Sequence, residues 1–201
     1  MDKQLSNKYG LQFLNKEQED CYNEIYLNNS ILILKRRHVG TTSVLKKYVT
    51  EELLKGKNKT IFYMSPLAIT NRSFKIDVSK LVTAISEYEC KSSTNKIVIE
   101  SNNNKLFCLN NKPDSFCDLR QINTLIYDEI GFERDNFDAL IKTIELYKQF
   151  FPLNQLKIIF TYTMEESGKQ THPCNNMVWQ WLLTNDFKKV TMTEMLNLKE
   201  L

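Results

Sequence analysis

The sequence predicts an α/β fold in which helices flank a central, mainly parallel β-sheet. Short apolar runs alternate along the chain with longer segments of helical periodicity. The first such unit, residues 31–65, has a strand at 31–34, a helix at 44–49 and a second strand from residue 60. Two strands joined through a helix lie parallel, with a right-handed crossover. Ligands of such sheets bind at the carboxyl ends of the strands, so the residues that follow the apolar runs are the candidates for function.

Length and composition limit the classes of protein to which the chain can belong. Its 201 residues suggest one domain, and 42% hydrophobic residues suffice for a sizeable core. The net charge of +3 is compatible with nucleic-acid binding without requiring it. Five cysteines lack C-x-x-C spacing, and there is no signal peptide or membrane-length apolar run. We therefore expect an intracellular protein with free thiols and no membrane contact.

A glycine-containing loop joins the first strand to the first helix. Strand, tight loop, hydroxyl residues and helix are the layout of a phosphate-binding P-loop, where backbone N–H groups and a helix N-terminus favour an anion. Gly40 would let the backbone approach a phosphate, and the Thr42 hydroxyl would bind Mg²⁺. The residues predicted to bind ATP here are Lys35, Arg36, Arg37, His38, Val39, Gly40, Thr41, Thr42 and Ser43.

The cation of this loop is displaced from its usual place. The common spacing, G-x-x-x-x-G-K-S/T, would put a glycine at position 35 and a lysine at position 41, where the chain has Lys35 and Thr41. A lysine on the entering strand can still cross the loop mouth to the β- and γ-phosphates, so we predict that Lys35 binds phosphate. A basic loop with one glycine before a helix also occurs without this function, and the loop alone leaves that alternative open.

Two adjacent acids follow a later apolar run. The segment Thr124-Leu125-Ile126-Tyr127 precedes Asp128 and Glu129, which is the pattern of a Walker B strand. Asp128 is predicted to hold Mg²⁺ through water, and Glu129 to be the base that polarises the attacking water. Packing explains such acids poorly, because an uncompensated buried charge costs on the order of several kcal/mol. The alternative is a strand that runs into an acidic turn.

Three more residues are candidates for nucleotide contact. Gln18 lies on a helix shortly before the loop, where an amide could bind the adenine edge, although Asn15-x-x-Gln18 also fits a capping box. Thr161 and Thr163 end a buried strand, where hydroxyls beside the γ-phosphate could sense hydrolysis. They could equally cap a following helix.

Periodicity and turn residues predict the remaining elements. We expect one ATPase domain over 1–201, divided into an N-terminal segment with an adenine-side helix (1–30), a core (31–165) and a C-terminal appendage (166–201). A polar loop or helix cap is expected at 70–73, a polar loop at 90–95 and a hairpin turn at 101–104. The other expected helices are 15–28, 78–88, 137–150 and 177–183, and the other strands are 96–100, 105–109, 156–163 and 187–192.

The order and spacing of these features are those of ASCE-type, RecA-like P-loop ATPases, and in detail they resemble the ATPase domain of the viral terminase large subunit, a DNA-packaging motor. The similarity extends over roughly residues 12–165. Four features support it: the displaced-lysine loop 35–42, the strand 61–65, the hairpin 97–109 leading to Leu119-Arg120, and Leu125-Ile126-Tyr127-Asp128-Glu129.

The resemblance implies a motor that uses ATP and Mg²⁺ to drive double-stranded DNA into a capsid in the infected host cell. It implies a ring of identical subunits, with the portal protein and the small terminase subunit as partners. Thr161 and Thr163 would couple hydrolysis to motion. An arginine would reach the neighbouring subunit's nucleotide, with Arg120 as the first candidate and Arg72 and Arg134 behind it.

The sequence departs from the terminase pattern in three places. Thr41 replaces the usual lysine, Gln121 replaces a glycine after Leu119-Arg120, and nothing resembles the clustered acids of the terminase nuclease domain. Two rival functions therefore stay open. One is another nucleic-acid-dependent ATPase of helicase or translocase type, and the other is a degenerate P-loop module that binds a partner without turnover.

Overall fold

The computed structural model describes residues 14–86, 88–110, 122–132, 137–150, 156–164 and 176–193. Within them, one eight-stranded sheet is flanked by five α-helices, which confirms the α/β fold class that the sequence predicts. The strands are β1 (Ser30–Lys35), β2 (Thr60–Ser65), β3 (Cys90–Ser92), β4 (Lys96–Ile99), β5 (Asn104–Asn110), β6 (Thr124–Tyr127), β7 (Lys157–Thr163) and β8 (Lys188–Met192). The helices are α1 (Lys16–Leu27), α2 (Thr41–Leu54), α3 (Ala68–Ile85), α4 (Phe137–Phe150) and α5 (Asn176–Thr184).

The strand order across the sheet is β3-β4-β5-β2-β6-β7-β1-β8. Every pair from β5 to β8 is parallel, and only the β3–β4 and β4–β5 pairs are antiparallel. β7 therefore lies between β1, which leads into the glycine loop, and β6, which leads directly to Asp128. All three strands run in one direction, so their carboxyl ends meet at one edge of the sheet.

The core has two parts, one on each face of the sheet. Alternate residues of a strand point to opposite faces, and Ile31 and Ile33 of β1 pack in one cluster while Leu32 packs in the other. The first cluster includes buried residues of α1, α2 and α3, and the second includes those of α4 and α5. The central strands are apolar on both faces for this reason, which matches their near-continuous hydrophobic sequence.

Three segments differ from the sequence expectation. Residues 70–73 are not a loop but lie in α3, which begins at Ala68. The stretch expected as a polar loop from Cys90 contains β3, a three-residue strand at the edge of the sheet. Its own sequence does not predict a strand, and its pairing with β4 stabilises the extended conformation. β8 lies inside the segment expected as an appendage, yet it pairs with β1 over Ile31 to Lys35, so this part of the chain extends the central sheet.

The described part of the chain has no helix that is both long enough and apolar enough to cross a membrane. Three residues singled out in the sequence lie outside the described part, namely Arg120, Gln121 and Arg134.

Candidate active site

The carboxyl ends of β1, β6 and β7 bring the predicted phosphate loop, the two acids and the two threonines together. Lys35 is the last residue of β1, and Thr163 is opposite it at the end of β7. Asp128 and Glu129 directly follow β6. The sheet order accounts for this meeting, because β7 is hydrogen-bonded to both of the other strands.

The loop after β1 has the backbone conformation of a tight turn into a helix. His38 and Gly40 have positive φ angles of 63° and 76°, in the left-handed region that favours glycine. The Arg36 N–H donates to the Met192 carbonyl at 3.0 Å, and the Lys35 carbonyl accepts from the Met164 N–H at 2.8 Å. The start of the loop is therefore fixed by backbone bonds, and at its other end α2 begins immediately after Gly40.

The two threonines at the start of α2 have different surroundings. Thr41 stands where a standard loop has its lysine, but it is buried and its Oγ1 contacts the Met192 sulfur of β8 at 3.5 Å. Thr42 and Ser43 are only partly buried in the first turn of α2. The first N–H groups of a helix have no partner within it and favour an anion. Thr42 is thus in the better place for a hydroxyl that binds a metal beside a phosphate.

Gln18 touches the loop through a hydrogen bond of its own. Its Nε2 donates to the Val39 carbonyl at 2.9 Å, and its Oε1 accepts from the Asn15 N–H at 3.1 Å. The capping box is present, since the Asn15 side chain also accepts from the Gln18 N–H. Adenine recognition by Gln18 stays a prediction, and it would use the second N–H of Nε2 and the second lone pair of Oε1. In the structure Gln18 connects α1 to the glycine loop through its hydrogen bond to Val39.

Asp128 is a buried carboxylate held from both sides. Thr161 Oγ1 of β7 donates to its Oδ1 at 2.6 Å, and the Tyr63 hydroxyl of β2 donates to its Oδ2 at 2.8 Å. Burial raises the pKa of the Asp128 carboxyl, whereas the Lys35 ammonium and the Thr161 hydroxyl oppose the rise. Tyr63 is not among the site residues that the sequence predicts. The local signal for it is a tyrosine hydroxyl in the apolar middle of β2.

Glu129 is held by three contacts in an uncommon backbone conformation. Its φ angle is 65°, its N–H donates to Thr161 Oγ1 at 2.8 Å, and its Oε2 accepts from Thr163 Oγ1 at 2.6 Å. Its Oε1 forms an ion pair with Lys35 Nζ. The predicted phosphate cation and the predicted base are therefore partners of each other in this structure.

These residues fit a magnesium nucleotide. Mg²⁺ keeps several waters and binds through one or two carboxylates together with phosphate oxygens, so it needs no cage of protein ligands. Among the described residues there is indeed no group of three His, Cys, Asp or Glu that could hold a metal alone. Asp128 and Thr42 would supply the protein oxygens, and Lys35 with the N-terminus of α2 would face the phosphates.

The comparisons with known proteins give structural neighbours only, since no protein-family model and no curated protein sequence matches the chain. The large terminase of a thermophilic bacteriophage is similar over 90% of this chain, with a TM-score of 0.66 and 12% identity. The N-terminal domain of the bacteriophage phi29 DNA-packaging ATPase is similar over 87%, with a TM-score of 0.55 and 14% identity. The Pif1 helicase from Candida albicans is similar over 94%, with a TM-score of 0.51 and 12% identity.

The extent of these matches differs between the neighbours. The chain spans 46% of the thermophilic phage's terminase and 41% of the Pif1 helicase, but 94% of the phi29 N-terminal domain. The same thermophilic-phage terminase has also been solved in complex with ADP and with ATP-gamma-S. The resemblance to terminases is thereby confirmed at the level of structure: the chain has the α/β P-loop NTPase fold found in phage large terminases.

Proposed function

We propose that the chain is the ATPase motor domain of a viral DNA-packaging terminase, which couples ATP hydrolysis to translocation of double-stranded DNA into a capsid. The observation that best supports this is the meeting of Lys35, Asp128, Glu129 and Thr163 beside a glycine loop at the N-terminus of α2. A lysine, a metal-binding acid, a base and a hydroxyl sensor are the groups that phosphoryl transfer to water requires.

Binding would use charges and dipoles that the fold already orients. Lys35, the loop N–H groups and the N-terminus of α2 would face the phosphates, while Thr42 and Asp128 would hold Mg²⁺. The metal neutralises charge on the phosphate oxygens when it is bound. Arg36, Arg37 and His38 lie in the loop with partly or fully exposed side chains, so they can contact a ligand without leaving a buried partner.

Hydrolysis would require Glu129 to change partners. Its Oε1 is paired with Lys35 in the structure, so that oxygen is occupied by the ammonium. Once Lys35 turns to a phosphate anion, that oxygen is free to orient and deprotonate the attacking water. Thr163 and Thr161 contact Glu129 on its other sides, so β7 is positioned to register the change. This is the physical basis on which we assign the two threonines to coupling.

The partners and assembly belong to the same proposal. Double-stranded DNA would be the cargo, a ring of identical subunits the active form, and the portal protein and small terminase subunit the protein partners, all inside the infected host cell. Arg120 would act on the neighbouring subunit's nucleotide. The thermophilic-phage terminase and the phi29 protein support the packaging assignment through their fold.

Replacement of Glu129 by Gln tests the catalytic part of the proposal. Glu129→Gln keeps the shape of the side chain and removes the base, so ATP binding should persist while turnover falls by roughly 10²-fold or more. Steady-state phosphate release and equilibrium binding of a labelled nucleotide measure the two quantities. Glu24→Gln, on α1, is a control for loss of one charge. A Glu129→Gln chain that hydrolyses ATP at the parent's rate would rule Glu129 out as the base.

A nucleic-acid-dependent ATPase of helicase type is the second candidate function, because the Pif1 helicase is similar over 94% of the chain. Duplex unwinding by the chain, without any dependence on capsid portals, would favour it. A binding module without turnover is the third, and a parent chain that binds ATP but releases no phosphate would favour that one. Portal and capsid genes beside the coding gene would support packaging.

A further inference from the structure

Tyr63 lies in the middle of the sheet with its hydroxyl at the candidate metal site. It is on β2, paired with Ile126 of β6 and Cys108 of β5, and it is fully buried. Its hydroxyl donates to Asp128 Oδ2 at 2.8 Å. The hydroxyl is the donor in this bond, because an ionised carboxylate can only accept.

The two donors to Asp128 come from opposite sides of its strand. Thr161 belongs to β7 and Tyr63 to β2, and β6 lies between them in the sheet. Each donor bonds to a different carboxylate oxygen, so the two bonds restrain rotation of the carboxylate about its Cβ–Cγ bond. The remaining lone pair of each oxygen therefore keeps a defined direction. Hydrogen bonds of this kind to a metal-binding carboxylate typically control metal affinity by roughly 10–100-fold.

Tyr63 is itself held by an aromatic contact with α3. Its ring stacks on Phe74 with ring centroids 3.6 Å apart and an interplanar angle of 6°. Asn71, one turn earlier in α3, donates from Nδ2 to the Ser65 carbonyl at the end of β2 at 3.1 Å. The position of the hydroxyl is therefore fixed by β2 and α3 together, and neither element belongs to the phosphate loop.

We propose that Tyr63 is a positioning residue for the metal-binding carboxylate Asp128, with Phe74 of α3 holding the tyrosine in place. The inference rests on the proposed nucleotide function and adds a residue to that site. A tyrosine that only fills the core would need a hydrogen-bond partner but would have no influence on metal affinity. Loss of its hydroxyl would then change the free energy of unfolding and leave the affinity for Mg²⁺ unchanged.

Tyr63→Phe separates the two roles, because it removes the hydroxyl and keeps the ring. The probe is a fluorescent ADP analogue, titrated with Mg²⁺ and also measured in EDTA. We expect the Mg²⁺ concentration at half-maximal binding to rise roughly tenfold or more, with little change in affinity in EDTA. Tyr48→Phe is the matched control, since Tyr48 is equally buried and packs against Tyr26 of α1. It should leave the Mg²⁺ dependence unchanged.

A second pair of variants tests the support from α3 and covers the case in which Tyr63→Phe does not fold. Phe74→Leu loosens the stack on Tyr63, whereas Phe62→Leu loosens the comparable stack on Phe107, whose rings are 4.9 Å apart with an interplanar angle of 6°. Only Phe74→Leu should raise the Mg²⁺ requirement.

The outcomes distinguish this inference from the function on which it rests. If the parent binds the ADP probe with Mg²⁺ dependence and folded Tyr63→Phe has the parent's Mg²⁺ midpoint, Tyr63 does not position the metal ligand. The same conclusion follows if Phe74→Leu and Phe62→Leu shift that midpoint equally. If the parent binds no ADP at all, the proposed function itself fails, and the inference fails with it.

Discussion

Lys35 stands between two anions, the Glu129 carboxylate that it contacts and the phosphate that we propose it binds. Its ammonium is nearly buried, and a buried charge is stable only when it is paired. Glu129 supplies that pair in the structure. The nucleotide would therefore compete with an internal carboxylate for the same cation. The free energy needed to separate Lys35 from Glu129 would reduce the net free energy of ATP binding.

Lys35→Ala should weaken ATP binding by roughly tenfold to a hundredfold, because a charge-assisted bond is worth about 1.5–3 kcal/mol. Hydrolysis should fall further, since charge grows on the transferring phosphoryl group. Equilibrium nucleotide binding and phosphate release measure the two effects. Lys46→Ala is the control, because Lys46 pairs with Asp77 of α3 at 2.7 Å instead of with the site. An unchanged ATP affinity in Lys35→Ala would contradict the displaced-lysine interpretation.

Returning the cation to its usual place gives a companion test. The double variant Lys35→Ala with Thr41→Lys should regain part of the lost ATP binding if the loop is a true P-loop. The recovery should be incomplete, because position 41 is buried against Met192 and a lysine there must leave that contact. Binding no better than in Lys35→Ala alone would argue that the loop does not place position 41 beside a phosphate.

Asp128 should reduce the stability of the nucleotide-free protein at neutral pH. Burial raises its pKa, so its ionised form is penalised in the folded state relative to the unfolded chain. The penalty is present above the raised folded-state pKa and disappears as the pH falls to the ordinary aspartate range. Asp128→Asn, whose amide can still bond Tyr63 and Thr161, should raise the melting temperature at pH 7, by about 2–4 °C per kcal/mol relieved.

The pH dependence of this gain is its control. In thermal unfolding without nucleotide or metal, the difference between Asp128→Asn and the parent should shrink as the pH falls toward the ordinary aspartate range, because protonation removes the parent's charge. A variant less stable than the parent at pH 7 would show that the contacts to the ionised carboxylate outweigh its burial.

At the scale of single elements, the turn after β6 determines where Glu129 points. Glu129 has a positive φ angle, and a short 3₁₀ turn, Ile130–Phe132, follows directly. Gly131 packs against the buried ring of Tyr162 so closely that an added Cβ would lie 2.8 Å from Cε2. The absence of a side chain at Gly131 is thus what lets the turn approach β7, where Thr161 and Thr163 hold the glutamate.

Gly131→Ala should therefore damage hydrolysis as well as stability. Overpacking of this kind typically costs about 1–3 kcal/mol, and relief of the clash would move the turn that begins at Glu129. Gly56→Ala is the matched control, since Gly56 has a φ angle of 71° in the turn after α2 and an alanine there is strained by about 1 kcal/mol. Chemical denaturation and phosphate release should show a stability loss in both variants and a large rate loss in Gly131→Ala only.

The elements that the sequence predicted correctly are those with strong local signals. β1, β6 and β7 are buried apolar runs that are followed by or end in polar residues, and their sequence alone predicts each strand and the polar residues at its carboxyl end. The first three turns of α3 have no such signal, because threonine, asparagine and serine are poor helix formers. Burial of Asn71 and Phe74 against β2 stabilises them instead, and that contact is not visible in the local sequence.

At the scale of the whole molecule, the order of the strands places the proposed catalytic groups together. β1 and β7 are far apart in the chain but adjacent in the sheet. On the other side of β1 lies the edge strand β8, in which Met192 is opposite Lys35. Motif order predicted that Lys35, Asp128 and Thr163 would share one edge. It could not predict the Lys35–Glu129 pair or the Tyr63 bond, because these depend on side-chain reach between strands whose register the sequence does not specify.

The proposed ring gives the last prediction, which concerns Arg120. If Arg120 acts on the neighbouring subunit's nucleotide, each complete site combines Glu129 of one subunit with Arg120 of the next. An Arg120→Ala chain and a Glu129→Gln chain should each be nearly inactive, because an arginine finger is worth roughly 10³–10⁵ in rate. Mixing the two should restore part of the ATPase activity, since an Arg120→Ala subunit still has its base and receives an intact arginine from a Glu129→Gln neighbour. A mixture of Arg120→Ala with a chain that carries both Arg120→Ala and Glu129→Gln should show no recovery, because no subunit then supplies the arginine. A concentration series should show a rate per subunit that rises as rings form. If both single variants fold and associate but their mixture stays inactive, Arg120 does not act across the subunit interface.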